Sequence, residues 1–129
     1  HRQTLAGVVR FNANAGKVFL PGGNAPMFDQ MLAGQHATLM AGGHTHVQLL
    51  RQHRGVLLVN PGSVGMPFRE YVSGRAPTVL AHAEYAIVDA GSGHVGVELR
   101  RVALDRAALR RSVTGSSLPL ACSLLEQYS

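Results

Sequence analysis

A short apolar run, Ala37-Thr38-Leu39-Met40-Ala41, opens directly onto two glycines and a His-Thr-His triplet. No other stretch of the chain constrains the fold as tightly. The run is too short for a self-burying helix and lacks the alternation of a half-exposed strand, so it suits a central strand covered on both faces. Covering layers require helices or a second sheet, and the chain is therefore expected to be α/β or α+β. At 129 residues, 46% hydrophobic and 15% charged, residues 1–129 are expected to form a single globular domain.

The flanking segments fill in the layers. Residues 5–11 and 17–20 are β-rich and enclose Asn14-Ala15-Gly16, which predicts a hairpin. Pro21-Gly22-Gly23-Asn24 breaks the chain. Met27, Phe28, Met31 and Leu32 then recur at helical spacing and Gly34 follows, predicting a short helix. Beyond the histidines, residues 47–50 and 56–59 flank a polar tip at residues 51–55, and residues 84–90 and 94–102 flank Gly91-Ser92-Gly93, giving two more hairpins. Residues 66–82 show no period and contain Pro67, Gly74 and Pro77, as expected of a long loop. Asp105 is placed to cap a helix reaching Val113, and Ser117 before Pro119 to begin a last one with the stripe Leu120, Ala121, Leu124, Leu125 and Tyr128.

The chemistry concentrates in Gly42-Gly43-His44-Thr45-His46. Alternate residues of extended chain share a face, so His44 and His46 are set to present two imidazoles together. Imidazole is a common transition-metal ligand, and two rings can serve one ion or each serve one ion of a pair. The glycines allow the backbone to approach an ion or a phosphate oxygen closely. Taken alone, His-x-His in a turn fits metal ligands and structural histidines equally well.

The wider stretch AGGHTHVQLLRQHRGVLLVNPGSVGMP, residues 41–67, resembles the small bacterial and archaeal phosphoesterases of the calcineurin-like superfamily. In those proteins a G-H-T-H loop is followed by a hairpin and an N-P-G-S loop. The resemblance implies the later part of a four-layer α/β/β/α sandwich, closed by two helices. It further implies two divalent metals, a bridging water or hydroxide that attacks phosphorus in line, and a phosphomonoester or phosphodiester substrate. On this carry-over His44 and His46 bind metal, one ion each, while Gly42, Gly43, Asn60, Gly62 and Ser63 form the supporting loops. Imidazole suits manganese, iron, nickel and zinc alike.

The chain also departs from that pattern. The family's earlier motifs, Asp-x-His, Gly-Asp and Gly-Asn-His, do not occur in it, and Pro21-Gly22 stands where the family has His-Gly. Two histidines alone do not hold two catalytic metals, so this chain by itself is expected to be inactive. Two explanations stay open: a partial or processed chain, which a first residue of His1 favours, or a degenerate relative that keeps the scaffold for binding. No catalytic residue is assigned.

The other residues carry plainer expectations. Asp29 sits mid-helix and reads as exposed. His53 and His94 read as solvent-facing and His82 as partly covered, and His36 is weighed as an additional ligand although it opens the apolar run at the end away from His44. Cys122, the sole cysteine, reads as a small buried hydrophobe. The net charge of +5 is almost wholly arginine, but the arginines are scattered and lack interleaved aromatics, which argues against nucleic acid as a stable partner. Arg106, Arg110 and Arg111 read as the wet face of one helix. With no membrane span or signal pattern in the sequence, the expected location is the cytoplasm.

Overall fold

The computed structural model describes residues 8–10, 22–72, 74–91 and 93–128. Their order is β1 (Val8–Arg10), α1 (Ala25–Leu32), β2 (Leu39–Ala41), β3 (Leu49–His53), β4 (Val56–Asn60), β5 (His82–Gly91), β6 (His94–Ala103), α2 (Arg106–Thr114) and α3 (Ala121–Gln127). The mixed α/β class expected from the sequence is what forms. Of the first predicted hairpin only β1 is described, and residues 17–20 lie outside the described residues. β1 pairs in parallel with β2, through Val8↔Leu39 and Arg10↔Ala41.

β1, β2 and β4 run parallel and β3 antiparallel, in the order β1-β2-β4-β3. The apolar run at residues 37–41 supplies β2, with Leu39 and Met40 fully buried. Because Ala41 pairs with Val59, the His-Thr-His segment after β2 and the Asn-Pro-Gly-Ser segment ending β4 leave the sheet at the same end. That end is the carboxyl edge of parallel strands, where open α/β sheets place their ligands.

Local chemistry sets the other boundaries. Asn24 caps α1, its Oδ1 accepting from the Met27 amide at 3.1 Å, and a proline follows in the first turn. Phe28 and Met31 then pack on Met40 and Leu58 of the sheet, and full burial of a side chain the size of Phe28 contributes about 1.5–3 kcal/mol. The β3–β4 turn is tighter than the five-residue tip expected. Arg54 and Gly55 both adopt positive φ, 47° and 82°, the conformation of a two-residue turn that matches strand twist, and the strand runs on through His53.

A second core joins the C-terminal helices to the loop between β4 and β5. Val79, Val113, Leu124 and Tyr128 are its buried members, with Met66 and Phe68 packed against them. Asp105 caps α2 as expected, accepting from the amides of Ala107 at 2.8 Å and Ala108 at 3.2 Å. Arg106, Arg110 and Arg111 are exposed along it. β5 and β6 form a separate two-stranded sheet. Among the described residues no helix is long and apolar enough to cross a membrane.

Three expectations for single residues are corrected. Cys122 is exposed, because the buried stripe of α3 falls on Leu124 and Tyr128. His53 is buried, because β3 extends far enough to bring its ring beside Phe28, 5.6 Å between centroids. Asp29 is half-buried and paired: His53 Nε2 lies 2.7 Å from Oδ1, and Arg54 Nη2 donates to Oδ2 at 2.7 Å. His36 is exposed and precedes the strand, while His82 is partly covered.

The hydrogen bond from His53, then that from Arg54, holds the Asp29 carboxyl below its ordinary range. A depressed carboxyl stabilises the fold above its unfolded value, about 3.9, and the contribution fades as pH falls through the folded value. The stability gap between wild type and Asp29→Asn, read by urea unfolding, should therefore be full near pH ~6 and narrow at pH values below about 4. A gap that is constant across that range would remove Asp29 from the acid response.

Candidate metal centre

The loop after β2 is held from several sides. The Gly42 amide donates to Val59 O at 2.9 Å, continuing the β2–β4 ladder one residue into the loop. Thr45 is fully buried, while His44 on one side is exposed and His46 on the other is half-buried. The out–in–out order expected of alternating residues is thus kept, although the backbone turns here instead of running extended. His46 itself sits in the left-handed region at φ 55°, which is uncommon for a residue with a side chain and enriched at functional positions.

Asn60 ties this loop to the next one. Its Nδ2 donates to Thr45 Oγ1 at 2.8 Å, and its Oδ1 accepts from the Gly62 amide at 3.0 Å. Ser63 Oγ accepts from the Met66 amide at 3.1 Å. The Met66 carbonyl lies 3.0 Å from His46 Nδ1 and accepts its proton. In the neutral ring that contact selects the Nδ1–H tautomer and leaves Nε2 as the acceptor, an arrangement common among ligating histidines. The Phe68 ring stacks on the His46 ring at 4.8 Å and 28°, and the Phe68 amide donates to His46 O at 2.9 Å.

Packed against the Asn-Pro-Gly-Ser turn is a buried carboxyl group. Glu84 is 2% exposed, and its Oε1 receives His82 Nε2 at 2.9 Å and Arg101 Nε at 3.0 Å. Its Oε2 is buried without a hydrogen-bond partner among the described residues, packed against Gly62. A Cβ on Gly62 would collide with Oε2 and come within 2.7 Å of Glu84 Cβ and 2.9 Å of Gln48 Cγ. Gly62 also has φ +85°, so both space and backbone demand glycine. The Glu84 amide donates to Ser63 O at 2.9 Å, and Gln48 Nε2 donates to Pro61 O at 3.3 Å and Arg100 O at 3.0 Å. The β5–β6 hairpin is thereby fastened to the loop.

The sequence-expected residues therefore fall into one neighbourhood: His44 and His46 flank Thr45, and Asn60, Gly62 and Ser63 brace them. His36 and His94 are exposed elsewhere, and His53 belongs to the Asp29 pair at the opposite end of β3 from the histidine loop. Met66, Phe68 and Glu84 were not singled out from the sequence. Their only signal is nearness to the Asn-Pro-Gly-Ser segment, and for Glu84 a carboxylate set between Ala83 and Tyr85 near the start of a strand. Among the described residues no cluster of three or more His, Cys, Asp or Glu could hold a metal ion.

The fold, with two loops meeting at the carboxyl edge of parallel strands, defines the class that the comparison with protein families identifies. Residues 8–92 match the calcineurin-like phosphoesterase superfamily domain, and the chain belongs to that superfamily, whose members are generally metal-dependent. No curated relative matches it.

Thr45→Val preserves volume but strands Asn60 Nδ2, and leaving such a buried donor without a partner costs about 1–3 kcal/mol. Urea unfolding should show that loss, and Thr45→Ser, which keeps the hydroxyl, should retain more stability than Thr45→Val. The reverse ranking would show that the methyl, not the hydrogen bond, holds the loop.

Proposed function

We propose that this chain carries the two-histidine metal loop of a metal-dependent phosphoesterase that hydrolyses phosphomonoesters or phosphodiesters, with His44 and His46 each contributing to one ion of a pair. The observation that carries this reading is the preparation of His46: Nδ1–H is spent on the Met66 carbonyl, the ring is clamped by Phe68, and Nε2 is left as an acceptor. A surface histidine without such a role has no need of a fixed tautomer and a left-handed backbone. When bound, divalent ions supply Lewis acidity and lower the pKa of a coordinated water.

The chain's own residues orient and exclude. Thr45 points inward, so its neighbours cannot rotate into the core. Asn60 and Gly62 set the height of the adjoining turn, and Ser63 holds the Met66 carbonyl in place for His46. The Asp-x-His, Gly-Asp and Gly-Asn-His motifs, absent from this chain, are expected to furnish the bridging carboxylate and remaining ligands in a complete site of this superfamily.

Two measurements bear on this. Manganese, added to the protein at low ratio, should broaden the His44 and His46 ring resonances well before those of the exposed His36 and His94; equal broadening at all four would refute the assignment. Separately, the chain alone should show no turnover of p-nitrophenyl phosphate with manganese, because the carboxylate motifs are missing. Robust hydrolysis abolished by His44→Ala would overturn that expectation and show that the ligand set is complete.

A further inference from the structure

Beside the histidine loop lies a cleft of about 630 Å³ that the phosphoesterase reading leaves unused. One wall is Gly22 to Asn24 with Met27 of α1, the other is Arg69 to Tyr71, and Val47 lies between them. Both ends of the His46 environment reach it: Val47 follows His46 in the chain, and Arg69 follows Phe68, whose ring covers the imidazole.

Both walls are anchored. The Gly23 carbonyl accepts from Arg51 Nη1 at 2.6 Å, and the same guanidinium lies 4.4 Å over the buried Phe28 ring. A Cβ at Gly23 would come within 2.9 Å of Phe28 Cζ and run into the Met27 side chain, so this wall is closely packed on the first core. Opposite, the Arg69 amide donates to Thr78 O at 2.9 Å, and Phe68 forms an antiparallel bridge with Val79 of the second core.

The lining is chemically mixed in a particular way. Arg69 is exposed, and its guanidinium has no hydrogen-bond or ion-pair partner among the described residues. The neighbouring Glu70 also lines the cleft, with its Oε1 engaged by Arg75 Nη2 at 3.4 Å and Thr78 Oγ1 at 3.3 Å and not by Arg69. A free guanidinium is the side chain best suited to two oxygens of one phosphate. Tyr71 offers a ring that is 44% exposed, and Met27 and Val47 add apolar surface. The volume is that of a small-molecule site, roughly 300–1,000 Å³, and far exceeds what a phosphate group alone would fill.

We propose that this cleft selects the substrate: it receives the organic group of an aromatic or heteroaromatic phosphoester, with Arg69 on the phosphate oxygens and Tyr71 against the ring. The assignment rests on the phosphoesterase reading for the reaction at the adjacent loop, but binding in the cleft needs no metal. That separates the two tests.

With EDTA present, p-nitrophenyl phosphate titrated into isotope-labelled protein should shift the amides of Val47, Arg69 and Tyr71 and bind about ten-fold more tightly than inorganic phosphate, the worth of one well-placed ring contact. Arg69→Ala should weaken both ligands by about ten-fold or more. Tyr71→Ala should erase the advantage of the aryl compound and leave phosphate unchanged. Both side chains are exposed, and circular dichroism would confirm that the variants fold. The proposal is overturned if folded Arg69→Ala binds the aryl phosphate like wild type, or if phosphate binds as tightly as the aryl compound. Aryl binding that persists in a protein showing no selective manganese broadening at His44 and His46 would uphold the cleft while removing the metal reading.

Discussion

The hydrogen bond between Asn60 and Thr45 is the contact on which the rest of the site depends. Both residues are almost wholly buried, so the bond forms where water cannot substitute for either partner, and the loops it joins have no freedom to settle independently. From it the contacts run in a closed circuit. Asn60 holds Gly62, Ser63 holds Met66, Met66 holds the ring of His46, and His46 is the next residue after Thr45. A displacement anywhere in the circuit is felt at the imidazole. The parallel register of β2 and β4 sets the circuit's starting distance, because Ala41 and Val59 are partners just before the two loops depart.

The second core has a bearing on the site that its distance in sequence hides. Phe68 packs with Val79, Val113, Leu124 and Tyr128 and also lies on the His46 ring. The Val79 amide is held in turn by Gln127 Oε1 from α3. The C-terminal helices, which lie beyond the residues matched to the superfamily, thus steady the face against which one proposed ligand rests. Glu84 does a similar service from below, filling the space that Gly62 leaves and carrying the β5–β6 hairpin with it.

Much of this was legible in the sequence because it was local. The apolar run of β2, the Asp105 cap, the hairpin about Gly55 and the two loop motifs are each written in a short stretch of consecutive residues. What escaped was relational. His53 is a polar residue near a hairpin tip, and only the alignment of β3 against α1 makes it a buried partner of Asp29. Cys122 has the neighbours of a core residue but the wrong angular position on α3. Met66 and Phe68 lie in a segment without period, and their role depends on a chain reversal that brings residue 68 back to residue 46. Two histidines could be named from a motif, but the tautomer of one of them required the fold.

The left-handed backbone at His46 places the protein under two opposed pressures. Glycine would relax that φ, and asparagine would tolerate it better than histidine does; neither offers an imidazole. The side chain gives the fold something in return, through its bond to the Met66 carbonyl and its contact with the Phe68 ring. The loop therefore sets where this imidazole stands through its backbone as much as through its side-chain contacts.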